Sequence, residues 1–312
     1  MKKISAIIAC YKDAEAIGEM YERLTNVLKK SSYNYEIIFV NDGSPDDSEI
    51  VLERICEKDE KVIAIFHSRN FGTDNAFTSG MTQATGDAVI LLDGDLQDPP
   101  EIIPEFIMKW ENGFDVVYGE KKKREGSKIM NFFYKLFYKV FNKISYIYIP
   151  KDAGNFALMD KKIVKSINSI KETDRFIRGL RAWVGFKQIG VPYTRAERKY
   201  GKTTYNLFGN LRWAKKGIFS FSFLPLEIIS YLAYFLFFLS IIGIFSQIAL
   251  YFFGPEAPRG IFFISVIVLF LGSTNLLFLS FISEYISKIL DETKGRPKFI
   301  IKKIIKIKNQ QI

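Results

Sequence analysis

Two cysteines, Cys10 and Cys56, and one histidine, His67, are all the thiol and imidazole that the 312 residues hold. That count excludes a disulfide framework and a zinc site of the usual nitrogen and sulfur ligands, so any metal must be held by oxygen. Charge is also missing where it matters: no Asp, Glu, Lys or Arg lies between Ile228 and Phe253, nor between Ile261 and Ser283. Apolar material is not scarce. At 48% hydrophobic and 25% charged residues, with mean hydropathy +0.04, the chain is neither a disordered tail nor a collagen-like fibre.

A hydrocarbon layer about 30 Å thick needs roughly 20 apolar residues in a helix, and both uncharged stretches meet that length. They predict spans over about 228–253 and 261–283, joined by the short Gly254–Gly260 connector as a hairpin across 226–284. Arg212, Lys215 and Lys216 precede the hairpin and eight basic residues from Lys288 to Lys308 follow it, whereas the connector has only Arg259, balanced by Glu256. The positive-inside bias then puts both termini in the cytoplasm, and an integral protein of a bacterial inner membrane is expected. Met1-Lys2-Lys3 followed by Ile4 to Tyr11 imitates a signal peptide, but the run ends at Lys12-Asp13 without a small-residue cleavage site and reads as a first strand.

Ahead of the spans, short β-branched runs alternate with helical stretches. Strands are expected at 4–10, 35–40, 62–66, 88–92 and 116–118, and helices at 14–30, 46–58, 75–84 and 101–112. This is the pattern of a doubly wound, mostly parallel α/β sheet, in which ligands bind beyond the carboxyl ends of the strands. Asn41-Asp42-Gly43-Ser44 follows the second strand, and Asp93-Gly94-Asp95-Leu96-Gln97-Asp98-Pro99-Pro100 follows the fourth. Asp42, Asp93 and Asp95 should therefore converge on one rim. Two carboxylates one residue apart can face a single cation, and an oxygen-only donor set with Gln97 as a neutral addition suits Mg²⁺ or Mn²⁺ bridging to substrate phosphates.

Five segments stand in order: Ile7-Ile8-Ala9-Cys10-Tyr11, Val40-Asn41-Asp42-Gly43-Ser44, Arg69-Asn70-Phe71-Gly72, Leu92 to Pro100, and Asp152-Ala153-Gly154-Asn155-Phe156. Together they resemble family 2 glycosyltransferases of the GT-A fold, specifically the polyprenyl-phosphate glycosyltransferases related to dolichol-phosphate mannose synthase. The resemblance covers essentially the whole chain. It implies a GT-A catalytic domain over 1–205, an interfacial helix over 206–225, the two-span hairpin, and a basic cytoplasmic tail over 285–312. It implies inverting transfer of a sugar from a UDP- or GDP-linked donor to a polyprenyl phosphate, with Mg²⁺ or Mn²⁺ as cofactor and a homo-oligomer as the assembly.

Carried over by position, Ala9, Tyr11, Asp42, Asp93, Gly94 and Lys121 would meet the nucleotide sugar, and Asp93, Asp95 and Gln97 the metal. Asp95, Asp152, Arg195 and Arg198 would be catalytic, and Lys121, Arg124, Lys128, Arg195, Arg198 and Tyr205 would receive the acceptor phosphate. The chain departs from the family pattern in four places: Ala9 to Asp13 lacks the usual proline, Asn155 replaces an aspartate, Lys121 an arginine, and Thr203-Thr204 the usual Ser-Lys. The lost carboxylate at Asn155 is tolerable for a phosphate acceptor. A phosphate monoester has a second pKa of about 6, so near neutral pH it is already a dianionic nucleophile and needs no strong base.

Two phosphates meeting in one site need cations. Residues 119–143 carry eight basic side chains against Glu120 and Glu125, 195–216 carry seven against Glu197, and 285–312 carry eight against Asp291 and Glu292. The whole chain is only +10, so basic charge is concentrated beside the spans and points to anionic lipids and phosphates as partners. Nucleic acid is not expected, since no binding motif accompanies the charge. Residues 127–145 place Ile129, Phe132, Phe133, Leu136, Phe137, Val140 and Ile144 at helical spacing between lysines, as in a helix that either lies at a membrane surface or packs its apolar face on the sheet. Two other readings stand beside the leading one: a processive polysaccharide synthase, against which the absence of a Gln-x-x-Arg-Trp motif speaks, and a catalytically silent nucleotide-sugar-binding scaffold. Arg175 and Arg178 either line the acceptor site, as the resemblance implies, or belong to a surface helix. His67 and Cys10 read as structural.

Overall fold

The structure, a computed structural model, describes residues 2–122, 145–150, 153–196, 199–200, 221–222, 224–253 and 261–307. The amphipathic helix expected at 127–145 falls outside the described residues except for Ser145, and the interfacial helix expected at 206–225 is described only at 221–222 and 224–225.

An eight-stranded sheet forms the centre. Its strands are β1 (Lys3–Cys10), β2 (Asn34–Asn41), β3 (Val62–His67), β4 (Ala88–Asp93), β5 (Val116–Lys121), β6 (Ala153–Asp160), β7 (Gln188–Tyr193) and β8 (Ile301–Lys306), in the order β7-β5-β6-β4-β1-β2-β3-β8. The parallel core β4-β1-β2-β3 is what the alternating pattern predicts. Ile4, Ile7, Ile8, Ile37, Ile38 and Phe39 are fully buried, because helices cover both faces and leave no polar side to the strands. Around it stand α1 (Ala14–Lys29), α2 (Ser48–Lys58), α3 (Thr73–Gln83), α4 (Ile103–Glu111), α5 (Lys161–Ser169) and α6 (Ile177–Trp183). In α1 the buried positions Ala16, Ile17, Met20, Leu24 and Leu28 recur every three to four residues, so one stripe meets the sheet. In α5 the side chain of Asp160 accepts from the backbone N–H of Lys162, which satisfies a donor at the helix start.

Three strands escape the sequence reading. β6 lies antiparallel between β4 and β5, β7 runs parallel to β5, and β8 is antiparallel to β3. The segment read as a tail is thus folded: the second long helix continues to Thr293, and residues 301–306 close one edge of the sheet. Its lysines are pinned there, Lys303 bridging Glu49 and Glu53 of α2. Ile301-Lys-Lys-Ile304-Ile305-Lys306 alternates only weakly, which is why charge masked the strand.

The last two helices are α7 (Leu224–Phe253) and α8 (Ile261–Thr293). Among the described residues one helix, over Ile267–Thr293, is long and apolar enough to cross a membrane, and none of its most apolar window is buried in the protein. In α7 the apolar run Glu227–Gly243 is shorter, with Tyr231, Phe235, Phe238 and Ile242 exposed. Apolar surface on this scale calls for a non-aqueous or protein partner.

Candidate active site

The carboxyl ends of β1, β2, β4 and β5 and the start of β6 gather the candidate residues. After β4 the chain turns through Gly94, whose backbone N–H donates to the carbonyl of Ala9 at 2.9 Å. A Cβ on Gly94 would stand 2.9 Å from that same carbonyl oxygen, so only glycine lets β4 close on β1 here. The turn aims Asp93, Asp95 and Asp98 at one region. Burial, then the nearby carboxylates of Asp98 and Asp95, push Asp93 up to about 7, with Lys121 and Arg178 pulling the other way. Asp95 is 7% exposed, accepts from the backbone N–H of Gln97 at 3.2 Å, and lies 3.9 Å from Arg195. The Gln97 side chain donates to the carbonyl of Ala196 at 3.2 Å, and its own backbone carbonyl accepts from the Ala196 N–H, so the Asp95–Asp98 turn and the Arg195 segment are stitched together.

Opposite these carboxylates stand cations. Lys121, at the end of β5, has its pKa lowered by burial and by Arg195 and Arg178, a fall that Asp98 and Asp93 moderate. Its ammonium packs against Gly154, 3.5 Å from where a Cβ there would sit. Arg178 of α6 donates to the Asn155 side chain at 3.1 Å. Arg181, 2% exposed, donates to the Gly154 carbonyl at 3.2 Å, while its second terminal nitrogen is buried without a partner. The Nε of Arg195 is likewise buried and unpartnered. The open Nε of Arg195, whose terminal nitrogen lies 3.9 Å from Asp95, fits an anion such as a phosphate better than a closed structural network.

On the β2 side Asp42, 3% exposed, accepts from His67 Nδ1 at 2.8 Å, from the Phe71 N–H at 2.9 Å and from the Gly72 N–H at 2.7 Å. Asp42 therefore fastens the loop after β3. Gly43 comes next with φ +63°, and a Cβ there would stand 2.4 Å from the Arg69 carbonyl carbon, so the Asn-Asp-Gly turn and the Arg69-Asn70 segment are in direct contact. Ser44 donates to Asp46, and the Lys12 N–H donates to Ser44, which closes the rim beside Tyr11.

The structure thus brings together Ala9, Asp93, Gly94, Asp95, Gln97, Lys121 and Arg195. Asp42 and Tyr11 sit on the neighbouring β1–β2 stretch of the same rim. Arg124, Lys128, Asp152, Arg198 and Tyr205 lie outside the described residues. Arg175 is not at the rim: 1% exposed, it donates to the Ile167 and Ile170 carbonyls at the end of α5. Sequence reasoning passed over Asp98, Tyr193 and Arg181. Asp98 could have been suspected from its place in the Asp95-Leu-Gln-Asp98-Pro99 run, but Tyr193 and Arg181 give no signal until the sheet is assembled.

Among the described residues no group of three or more His, Cys, Asp and Glu side chains forms a cage for a metal ion. Asp93 and Asp95 offer two carboxylates that repel one another. That donor set fits a hard divalent cation which keeps coordination positions open for diphosphate oxygens, and does not fit a fully protein-coordinated ion.

A parallel-cored sheet with carboxylates and guanidinium donors at its carboxyl rim is the arrangement of an α/β enzyme that handles phosphates and a divalent cation. The chain belongs to glycosyltransferase family 2: the model described as "Glycosyl transferase family 2" matches residues 5–167, just over half its length. It is 40% identical over 312 residues to an uncharacterised glycosyltransferase of Bacillus subtilis, covering 99% of this chain and 96% of that one. It is 37% identical to a prophage bactoprenol glucosyl transferase homologue of Escherichia coli K12, covering 97% of this chain and 100% of the other. Among solved structures it is distantly similar to glucosyl-3-phosphoglycerate synthase from Mycobacterium tuberculosis in complex with Mn²⁺, UDP and glucosyl-3-phosphoglycerate, at 15% identity, 70% and 77% coverage and a TM-score of 0.47.

Proposed function

We propose that this glycosyltransferase moves a sugar from a UDP- or GDP-linked donor to a polyprenyl phosphate, with inversion at the anomeric carbon, to give a lipid-linked monosaccharide. The observation that carries the reading is the facing of Asp93 and Asp95 by Lys121, Arg178 and Arg195 at one rim. One side suits a cation-bound diphosphate and the other a second phosphate. The relatives of similar length that are called bactoprenol glucosyl transferases support the acceptor class.

Asp93 and Asp95, with Gln97 beside them, would hold Mg²⁺ or Mn²⁺. When bound, that ion supplies Lewis-acid stabilisation of the charge that grows on the departing diphosphate. The chain's own residues do the rest. Lys121, Arg178 and Arg195 offset the repulsion between acceptor phosphate and donor diphosphate and hold an acceptor oxygen behind the anomeric carbon. That oxygen forms the new bond to carbon as the bond from carbon to the donor phosphate oxygen breaks, and the electron pair leaves on the nucleoside diphosphate. No proton has to be removed from the dianionic acceptor, so no general base is needed. Asn155 leaves this reading intact, because a dianionic phosphate needs no carboxylate base there and the side chain still accepts from Arg178. Asp42 shapes the donor side by holding Phe71 and Gly72. Asp152, Arg124, Lys128, Arg198 and Tyr205 remain proposed contributors on the acceptor side.

The fold also supports a two-crossing hairpin with both termini in the cytoplasm. β8 comes after α8 yet pairs with β3, which precedes α7, so Val62–His67 and Ile301–Lys306 lie in one compartment. If α8 crosses the bilayer, the chain crosses once more between Tyr193 and Ile261. The basic segments would then lie against anionic lipid at the cytoplasmic face.

The test incubates purified protein with Mg²⁺ or Mn²⁺, a panel of UDP- and GDP-sugars and undecaprenyl phosphate. One sugar per lipid is expected. Chains of increasing length would favour a polysaccharide synthase, and nucleotide-sugar binding without any product would favour a silent scaffold.

A further inference from the structure

α8 does more than supply apolar length, because its C-terminal end is bonded to the segment that leads into the acceptor side of the site. Glu292 accepts from the Thr173 N–H at 2.8 Å, from the Thr173 hydroxyl at 3.2 Å and from the Asp174 N–H at 3.4 Å. One helical turn earlier, on the same face, Lys288 lies 4.0 Å from the Asp174 carboxylate. Beyond the helix end, Lys298 donates to the Ile170 carbonyl at 2.7 Å. Residues 170–174 of the 170–176 connection between α5 and α6 are thus held at both ends by residues at and just beyond the C-terminal end of α8.

The acceptor wall begins directly after this segment. The Ile177 N–H, at the start of α6, donates to Asp74 of α3 at 3.2 Å, and Arg178 donates to Asn155 at 3.1 Å. Arg181 reaches the Gly154 carbonyl at 3.2 Å. Asp174 and Arg178 are only a few residues apart in the chain, so a shift of the 173–174 backbone passes into α6 with little slack. The neighbouring Arg175 adds stiffness, since its guanidinium is buried on the Ile167 and Ile170 carbonyls. These bonds are exposed, but two backbone N–H groups and a hydroxyl converging on one carboxylate fix a backbone more directionally than a single exposed ion pair such as that between Lys294 and Asp291.

We propose that Glu292 is a positioning residue for acceptor binding: by holding Thr173 and Asp174 it sets α6, and with it Arg178 and Arg181, relative to Gly154 and Asn155. The apolar helix and the phosphate-receiving side chains then move as one piece, so that a lipid lying along α8 presents its phosphate to a wall already registered to that helix. This rests on the reading of the site as a polyprenyl-phosphate glycosyltransferase.

The test compares the full-length protein with Glu292→Ala and Glu292→Gln. Loss of this charge-assisted anchor is expected to raise KM for undecaprenyl phosphate roughly tenfold in Glu292→Ala, with KM for the nucleotide sugar and kcat within about twofold. Glu292→Gln keeps an acceptor oxygen and should recover most of the loss. Hydrogen exchange of the amides over 171–183 should rise in Glu292→Ala and stay near the wild-type level in Glu292→Gln. A uniform fall in kcat with both KM values unchanged, or no change in acceptor KM, overturns the positioning role. Unchanged exchange overturns the anchor itself, whatever the activity. A wild-type protein that glycosylates no polyprenyl phosphate refutes the proposed function instead, and the exchange measurement still decides whether Glu292 holds α6.

Discussion

The hydroxyl of Tyr193, at the end of β7, donates to the carboxylate of Asp98, three residues beyond Asp95, in a pocket where both side chains are buried. The pair ties the outer strand of the sheet to the acidic turn and raises the tyrosine pKa through burial and the Asp98 charge. A Tyr193→Phe variant leaves Asp98 short of its donor. An unfolding free energy lower by about 1–3 kcal/mol is expected, read from the denaturation midpoint in detergent. An unchanged midpoint would show that Asp98 is held by something else.

Asp95 stands at the centre of the acidic rim. Asp95→Ala and Asp95→Asn should both lower transfer by roughly 10²–10³-fold, the scale seen when one preorganised electrostatic partner is removed. Mn²⁺ binding followed by calorimetry should fall in parallel. Normal metal binding with lost activity would assign Asp95 to the sugar and not to the ion.

Asp93 gives the site a pH dependence whose sign is fixed. Its folded-state pKa is raised from the ordinary 3.8 to about 7, chiefly by burial, so the metal-free fold favours the protonated form. This group costs stability as pH rises from about 4 towards 7, and the cost is absent below its unfolded pKa. Divalent metal competes with that proton. Apparent Mn²⁺ affinity should therefore weaken as pH falls below about 7, and added Mn²⁺ should raise the melting temperature more at about pH 8 than at about pH 6. A melting shift independent of pH would disprove the linkage.

Gly43→Ala places a methyl group against the Arg69 backbone at a φ that side chains resist. A cost of about 1–3 kcal/mol is expected from the strained backbone alone, with further loss as Arg69 and Asn70 shift. Since this contact shapes the β2–β3 edge of the rim, KM for the nucleotide sugar should rise more than KM for the lipid. Equal effects on both would remove the donor side from the contact's reach.

The parallel core was readable because each buried strand is a short β-branched run that leads into a helical stripe, as Ile4 to Cys10 and Ala14 to Leu28 illustrate. The acidic rim was readable for the same reason: Asp42, Asp93 and Asp95 fall at or just after strand ends, where side chains must face ligand space. β6, β7 and β8 were not. β6 begins Ala153-Gly-Asn, which looks like a loop, and the lysines of β8 make the strand look like a solvated tail. Partnerships between distant residues, such as Asp98 with Tyr193 and Glu292 with Thr173, depend on the strand order and leave no local trace. Asp42 shows the limit from the other direction: its position just after a strand identified it, but only the fold reveals that its oxygens are spent on the loop at Phe71 and Gly72.

The pairing of β8 with β3 also sets an order of events during synthesis. The bare edge of β3 leaves the ribosome early and has to wait, unpaired, while the rest of the chain is made and two long apolar helices find their place. A nascent chain stopped just after α8 would carry a complete rim and an open sheet edge, the kind of surface that recruits other strands. The short strand after α8 can therefore close the sheet only once everything before it has been made.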